Sequence, residues 1–173
     1  EVIILDKNKC ENLLPKQKYK FLDVMNKLTL EKSLKKIDYV YNFAGIADIQ
    51  AAKEKPRDTI ENNIIGNVDI IESCIKSRVK RLIFASTMYV YGDLGSFYRA
   101  SKQCSEILMK TYAENSKLKY TILRYGSLYG PDAQSWNGIS KYINEIVSTG
   151  KIKYHGSGNE MREYIHSLQI LIS

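Results

Sequence analysis

Cysteine is scarce and unpatterned in this chain. Cys10, Cys74 and Cys104 are three in number, far apart, and form no Cys-x-x-Cys. Histidine is scarcer still, with only His155 and His166. A disulfide scaffold and a structural zinc site are both excluded on that ground, no metal site is expected, and a reducing compartment such as the cytoplasm is indicated. No apolar run approaches the roughly 20 residues that a membrane span needs. There is no low-complexity tract, internal repeat or linker-like stretch. The net charge is +7, but its lysines (Lys18, Lys20, Lys35, Lys36, Lys53, Lys55, Lys117, Lys119) are scattered. No basic stripe is interleaved with aromatics, which argues against a nucleic-acid partner. Solvated lysines account for the charge, and a weak preference for anionic small molecules fits equally well.

What is present is enough apolar sequence for one core: 44% of 173 residues. Short β-rich runs alternate with longer helical patterns. Strands are predicted at 2–5, 19–24, 39–44, 81–85 and 120–123. Helices are predicted at 28–36 with Thr29 as N-cap, from Pro56 at the helix start to about Ser77, and at 97–114. The strands do not alternate strictly between apolar and polar, as expected when both faces are covered. The class is therefore α/β, a parallel sheet with right-handed crossovers. After Tyr129-Gly130-Pro131 the character changes: a loop over 131–137, a helix over 139–148, a short strand at 151–154 and a turn at Gly156-Ser157-Gly158. These read as the start of a smaller lobe. The expected division is 1–130 and 131–173.

In a parallel sheet, ligands bind beyond the carboxyl ends of the strands. The residues there are Asp6, the Asp23-Val24 pair, Phe43-Ala44-Gly45, and Ser86-Thr87. A carboxylate at Asp6 can accept both hydroxyls of an adenosine ribose, although Asp is also an ordinary turn former. Gly45 allows close approach of a ligand to the backbone. Tyr98 and Lys102 form the only Tyr–Lys pair at i, i+4 in the chain, so they share one helix face. Chance alone supplies about one or two such pairs, so context has to carry the weight. That context is the strand end Ser86-Thr87 just upstream. An ammonium near a phenol lowers its pKa, which predicts Tyr98 as an acid/base working near neutrality. A hydroxyl, a phenol and an ammonium at a sheet edge suit proton transfer beside a hydride acceptor.

Read in order, these segments resemble the extended short-chain dehydrogenase/reductase family, the NAD-dependent epimerase/dehydratases of nucleotide sugars. Asn42-Phe43-Ala44-Gly45 resembles its cofactor-lining strand end, and Asp23-Val24 its adenine-contacting pair. Glu61-Asn62-Asn63-Ile64-Ile65-Gly66 resembles "N-x-x-G-(T/N)". The run Ser86-Thr87-Met88-Tyr89-Val90-Tyr91-Gly92 is similar to its "(S/T)-x-x-V-Y-G" segment, and Tyr98-Arg99-Ala100-Ser101-Lys102 to "Y-x-x-S-K". Arg124-Tyr125-Gly126-Ser127-Leu128-Tyr129-Gly130-Pro131 resembles "R-x-x-N-x-Y-G-P". The run from Gly156 to His166 resembles "G-x-G-x-x-R-D-(F/Y)-x-H".

The resemblance implies a Rossmann-like doubly wound sheet with NAD as cofactor and a nucleotide sugar as substrate. It implies Thr87, Tyr98 and Lys102 as catalytic residues. It places Asp6, Asp23, Val24, Phe43, Ala44, Gly45, Asn63, Ser86, Tyr98, Lys102 and Tyr125 at the cofactor. It places Thr87, Ser127, Asn137, His155 and Arg162 at the substrate, with Arg162 on the diphosphate and His155 near the nucleobase; Asn137 can instead cap the following helix. A homodimer through the helices near 60–77 and 97–114 is implied too, as is a setting in surface-polysaccharide biosynthesis. The family's opening strand and "G-x-x-G-x-x-G" turn have no counterpart in 1–173, so the expectation is a portion of a longer protein, cut at both ends. Met88-Tyr89 stands where the dehydratase branch has Asp-Glu, which disfavours water elimination. The expected activity is a sugar 4-epimerase. The alternatives are a 4-dehydrogenase or reductase, or a non-catalytic fragment.

Overall fold

The first strand, β1 (Val2–Asp6), pairs in parallel with β2 (Gln17–Phe21), residue for residue from Val2 opposite Gln17 to Asp6 opposite Phe21. In the computed structural model, every residue is described except 10–12, 132, 135, 136, 155, 160, 162 and 171–173. β2 was expected to run on to Val24, but it stops where β1 stops. The Asp6 carboxylate turns back to accept the Asn8 N–H at 2.8 Å, so no ladder partner extends beyond it. A last bond from the Leu22 N–H to the Asp6 carbonyl closes the pair. Asp23-Val24 consequently lies in a turn, with the Asp23 carboxylate accepting the Met25 N–H.

The helix α1 (Lys27–Ser33) follows, capped by Asn26 rather than by Thr29. The Asn26 side chain accepts the Thr29 N–H at 3.1 Å, a task for the residue just before the first turn, not for one inside it. β3 (Tyr39–Asn42) ends two residues earlier than expected. The side-chain amide oxygen of the buried Asn42 captures the Ala44 N–H at 3.1 Å and bends the chain out of the sheet. Next comes α2 (Ile49–Glu54), which had not been expected. Asp48 caps it by accepting from Gln50 and Ala51.

The long helix expected from Pro56 to about Ser77 is one continuous helical run, α3 (Pro56–Ile60), a π turn (Glu61–Ile65) and α4 (Gly66–Lys76), and only the π turn had not been expected. Pro56 occupies the first turn, where its missing N–H costs nothing. β4 (Arg81–Thr87) pairs in parallel with β3 and is buried at five of its seven positions, which explains its unbroken apolar pattern. A 3₁₀ turn (Met88–Tyr91) leads to α5 (Ser96–Glu114) and then β5 (Lys119–Tyr125). The strand order is β3-β4-β5, a sheet separate from β1-β2.

Two compact units divide at residues 123 and 124. The core of the first gathers Leu22, Leu30, Leu34, Ile70, Ile71, Cys74, Val79, Leu82, Phe84, Met109 and Leu118. Burial pushes the Cys74 thiol up to about 12, so it behaves as a small apolar side chain.

The second unit holds β6 (Ser127–Tyr129), α6 (Gly138–Thr149), β7 (Tyr164–His166) and α7 (Ser167–Ile170). β6 and β7 are parallel partners. Each is three residues long, too short for a periodic signal. Gly126 is required beside them: a Cβ there would stand 2.7 Å from the Glu163 carbonyl oxygen. Residues 151–154 are not a strand. The Lys153 N–H is taken by the Glu145 carboxylate, and the Lys151 N–H and carbonyl are both bonded to Thr149 Oγ1, so these groups bond to side chains in place of a ladder.

Candidate active site

The site begins at the carboxyl end of β4 and the first turns of α5. Gly95, at φ +103°, precedes the helix. A Cβ on it would stand 3.0 Å from the Arg99 Cβ and 3.4 Å from the Tyr89 ring, so glycine is needed there. Two side chains of α5 reach back over the connection. Arg99 donates to the Gly92 carbonyl and the Asp93 carboxylate, and Gln103 donates to the Val90 carbonyl at 2.9 Å. This short connection fixes the helix start, and with it Tyr98, against the end of β4.

Thr87 and Tyr98 meet. Thr87 is buried, its Oγ1 accepts the Tyr89 N–H at 3.3 Å, and its side chain lies close enough to the Tyr98 hydroxyl to favour the phenolate. The Tyr89 ring stands edge-on to that of Tyr98, with centroids 6.5 Å apart. One turn further along α5, the Lys102 ammonium is 5% exposed. It donates to the Ala85 carbonyl at 2.8 Å and lies 4.7 Å above the Phe84 ring and 5.9 Å from the Tyr98 ring centroid. The three residues expected to be catalytic are thus brought together.

Their electrostatics depart from expectation. Burial holds the Tyr98 phenol above its ordinary value, and the neighbouring Thr87 hydroxyl offsets this only in part. Burial also lowers the Lys102 ammonium to about 8. The cation faces ring surfaces and a carbonyl rather than the phenol oxygen, so it does not pull the phenol pKa down in this arrangement. A low-dielectric pocket penalises both charged forms at once.

A second network sets the position of α5. Asn63, in the π turn, is 3% exposed. Its amide donates to the Ile46 carbonyl at 3.0 Å and to Ser101 Oγ at 2.9 Å, and its oxygen accepts the Ile46 N–H at 2.7 Å. Ser101 passes its own proton to the Tyr98 carbonyl, and Ser105 donates to the Asn63 carbonyl. Both Asn63 amide hydrogens are spent on protein, so this residue is a strut tying the turn after β3 to α5. Gly45 lies in that turn at φ +141°, and a Cβ there would stand 2.6 Å from Asn63 Oδ1.

The other expected cofactor residues are dispersed over strand ends. Asp6 is exposed at the end of β1, one carboxylate oxygen engaged by Asn8. Val24 packs against the core, while Phe43 is exposed and stacks on Tyr41 at 6.4 Å. Ala44 is exposed beside it. Ser86 is buried and gives its hydroxyl proton to Glu106 at 2.5 Å, which redirects it from a ligand toward α5. Tyr125 ends β5, and Ser127 sits in β6, its N–H on the Glu163 carbonyl. Asn137 caps α6 by accepting the Ser140 N–H and donates to the Leu128 carbonyl, the capping alternative. His155 and Arg162 lie outside the described residues.

Sequence reading passed over Glu106, Tyr89, Arg99 and Gln103. Glu106 had a signal, since it continues the Tyr98–Lys102 face by one more turn. The others depend on the path of the connecting loop, which no spacing rule reveals.

Comparison with known proteins points one way. The dTDP-D-glucose 4,6-dehydratase of Dictyostelium discoideum is 27% identical over 201 residues, covering 96% of this chain and 46% of that protein. The structure of UDP-glucose 4-epimerase from Thermotoga maritima superposes with a TM-score of 0.89 at 25% identity, covering 99% of this chain and 63% of that one. UDP-N-acetylglucosamine 4-epimerase from Methanobrevibacter ruminantium gives 0.86 at 28% identity, covering 98% and 62%. The chain therefore spans about half the length of the curated relatives it matches and under two thirds of these structures. The sequence model of one family matches residues 1–169. This chain belongs to the NAD dependent epimerase/dehydratase family.

Proposed function

We propose that the protein is an NAD-dependent nucleotide-sugar enzyme of the 4-epimerase type, with hydride removed from and returned to C4 of the sugar. The observation that carries the reading is the Tyr98 phenol set beside the buried Thr87 side chain at the end of β4, with the buried Lys102 ammonium one turn behind. Thr87 orients the sugar hydroxyl. Tyr98 takes its proton and gives it back. Donor chemistry supports the cofactor: an ammonium carries three N–H donors, and Lys102 spends one on Ala85, so two remain for a vicinal diol such as a ribose. Asp6 at the end of β1 would hold the second ribose. NAD bound there would supply the hydride acceptor. Met88 and Tyr89 offer no carboxylate for water elimination, which favours epimerisation, or a simple 4-oxidation or reduction, over dehydration.

Residues 1–130 would serve the cofactor, with Tyr125 for the nicotinamide, and 131–173 would begin a substrate lobe; Ser127, His155 and Arg162 would serve the nucleotide sugar. A homodimer is the assembly we favour. Phe97 and Ile107 on α5, and Ile60 and Ile65 beside the π turn, are exposed apolar side chains on the two helical segments concerned. Sedimentation measures its mass, and a monomer at micromolar concentration would remove this part of the reading.

The direct test supplies UDP-hexoses with NAD and compares the protein with its Tyr98→Phe variant. Loss of turnover by at least about a hundredfold is expected. Near-normal turnover in Tyr98→Phe would end the assignment.

A further inference from the structure

Three successive turns of α5 each hold one of the last three residues of β4. Tyr98 stands beside Thr87, Lys102 donates to the Ala85 carbonyl, and Glu106 accepts the Ser86 hydroxyl proton at 2.5 Å. The first two contacts belong to the proposed chemistry. The third reaches no reacting group. Ser86 is 3% exposed, so its hydroxyl must find a partner inside the protein, and the Glu106 carboxylate is that partner. Ser86 sits between the residue whose carbonyl anchors the ammonium and the residue whose hydroxyl meets the phenol.

We infer that Glu106 is a positioning residue for the proposed reaction: by fixing Ser86 it sets the height of Ala85 and Thr87 relative to Lys102 and Tyr98. Its action runs through the backbone of β4. Direct electrostatics between Glu106 and Lys102 is not the route, because burial accounts for the state of that ammonium. Spacing supports the inference. Residues 98, 102 and 106 stand four apart, so a single helix face docks along a single strand end, and slippage at one rung displaces the others. A misplacement of about 1 Å at reacting groups is enough to cost two orders of magnitude in rate.

The inference rests on the proposed function for its kinetic arm but not for its structural one. The kinetic arm compares Glu106→Ala, Glu106→Gln, Ser86→Ala and the Ser86→Ala/Glu106→Ala pair. Glu106→Ala and Ser86→Ala should each lower kcat/KM by roughly ten- to a hundredfold, with most of the loss in kcat. Glu106→Gln should recover most of it, since the amide oxygen still accepts from Ser86. The double variant should be no worse than the poorer single one. Wild-type kcat/KM in Glu106→Ala, equal damage in Glu106→Gln and Glu106→Ala, or losses that multiply in the double variant would each overturn the inference. Should Glu106→Ala not fold, Ser86→Ala against Glu106→Gln decides the same question.

The second arm needs no turnover. A ¹³Cε titration of Lys102 in the unliganded protein, assigned with Lys102→Met, reads the packing around the ammonium. Loosening of the β4 end in Ser86→Ala admits water, so the midpoint should rise from about 8 toward 10.5. In Glu106→Gln it should stay near 8. An unmoved midpoint in Ser86→Ala, or a fall in Glu106→Gln, overturns the inference even if Tyr98→Phe proves the reaction. Inactivity of the wild type toward every sugar would sink the proposed function while leaving this arm readable.

Discussion

Lys102 donates to the carbonyl oxygen of Ala85 at 2.8 Å while 5% exposed, a cation held beside the Phe84 and Tyr98 rings. Such a residue is a stability liability retained for a task. The folded pKa, about 8, lies below the 10.5 of the unfolded chain. Between those values the unfolded state binds the extra proton, so stability rises with pH across that window and the full cost is present below it. We expect Lys102→Met to be at least as stable as the wild type at pH 7. Its advantage should then shrink by roughly 2–3 kcal/mol between pH 7 and pH 10. Urea unfolding of both proteins across that range measures this, and a constant difference would show that the ammonium is not desolvated.

Thr87 and Tyr89 act on the Tyr98 phenol in opposite directions. The neighbouring Thr87 hydroxyl favours the phenolate, whereas the Tyr89 phenol disfavours it. Proton removal by Tyr98 requires the ionised form, so activity should climb as pH rises through its pKa. Thr87→Val should move that limb to higher pH and cut the rate at pH 7 by about ten- to a hundredfold. Tyr89→Phe should move it to lower pH. Profiles of kcat/KM against pH distinguish the two, and shifts in the same direction would contradict the geometry.

Most of this arrangement was legible beforehand because its parts are periodic or chemically distinctive. The buried strand 81–87 and the helix 96–114 have long apolar patterns, and the Tyr98–Lys102 pair follows from helix spacing alone. What escaped was set by single side chains acting on the backbone. Asn42 ends its strand early by capturing the Ala44 N–H, Asn26 displaces Thr29 as a cap, and Asp48 starts a helix six residues long. The phenol shift was misjudged for a related reason: sequence shows that an ammonium is near, but not that both groups are dry. Burial is a property of the packed unit, and here it outweighs the pairwise attraction.

Gly45 and Asn63 should prove inseparable. Gly45 adopts φ +141°, and a methyl on it would stand 2.6 Å from Asn63 Oδ1. Gly45→Ala therefore combines backbone strain with a clash and should cost about 2 kcal/mol or more. Asn63→Ala strands the Ile46 N–H and carbonyl and the Ser101 hydroxyl, a loss of roughly 2–4 kcal/mol. Removing the Asn63 amide also vacates the space that the new methyl needs. The double variant should accordingly fall short of the sum of the single losses by about 1 kcal/mol or more. Urea unfolding of the four proteins gives the coupling. Strict additivity would mean that Gly45 is required by its backbone angle alone and that Asn63 does not wall the turn, and the strut between this turn and α5 would then lose its steric half.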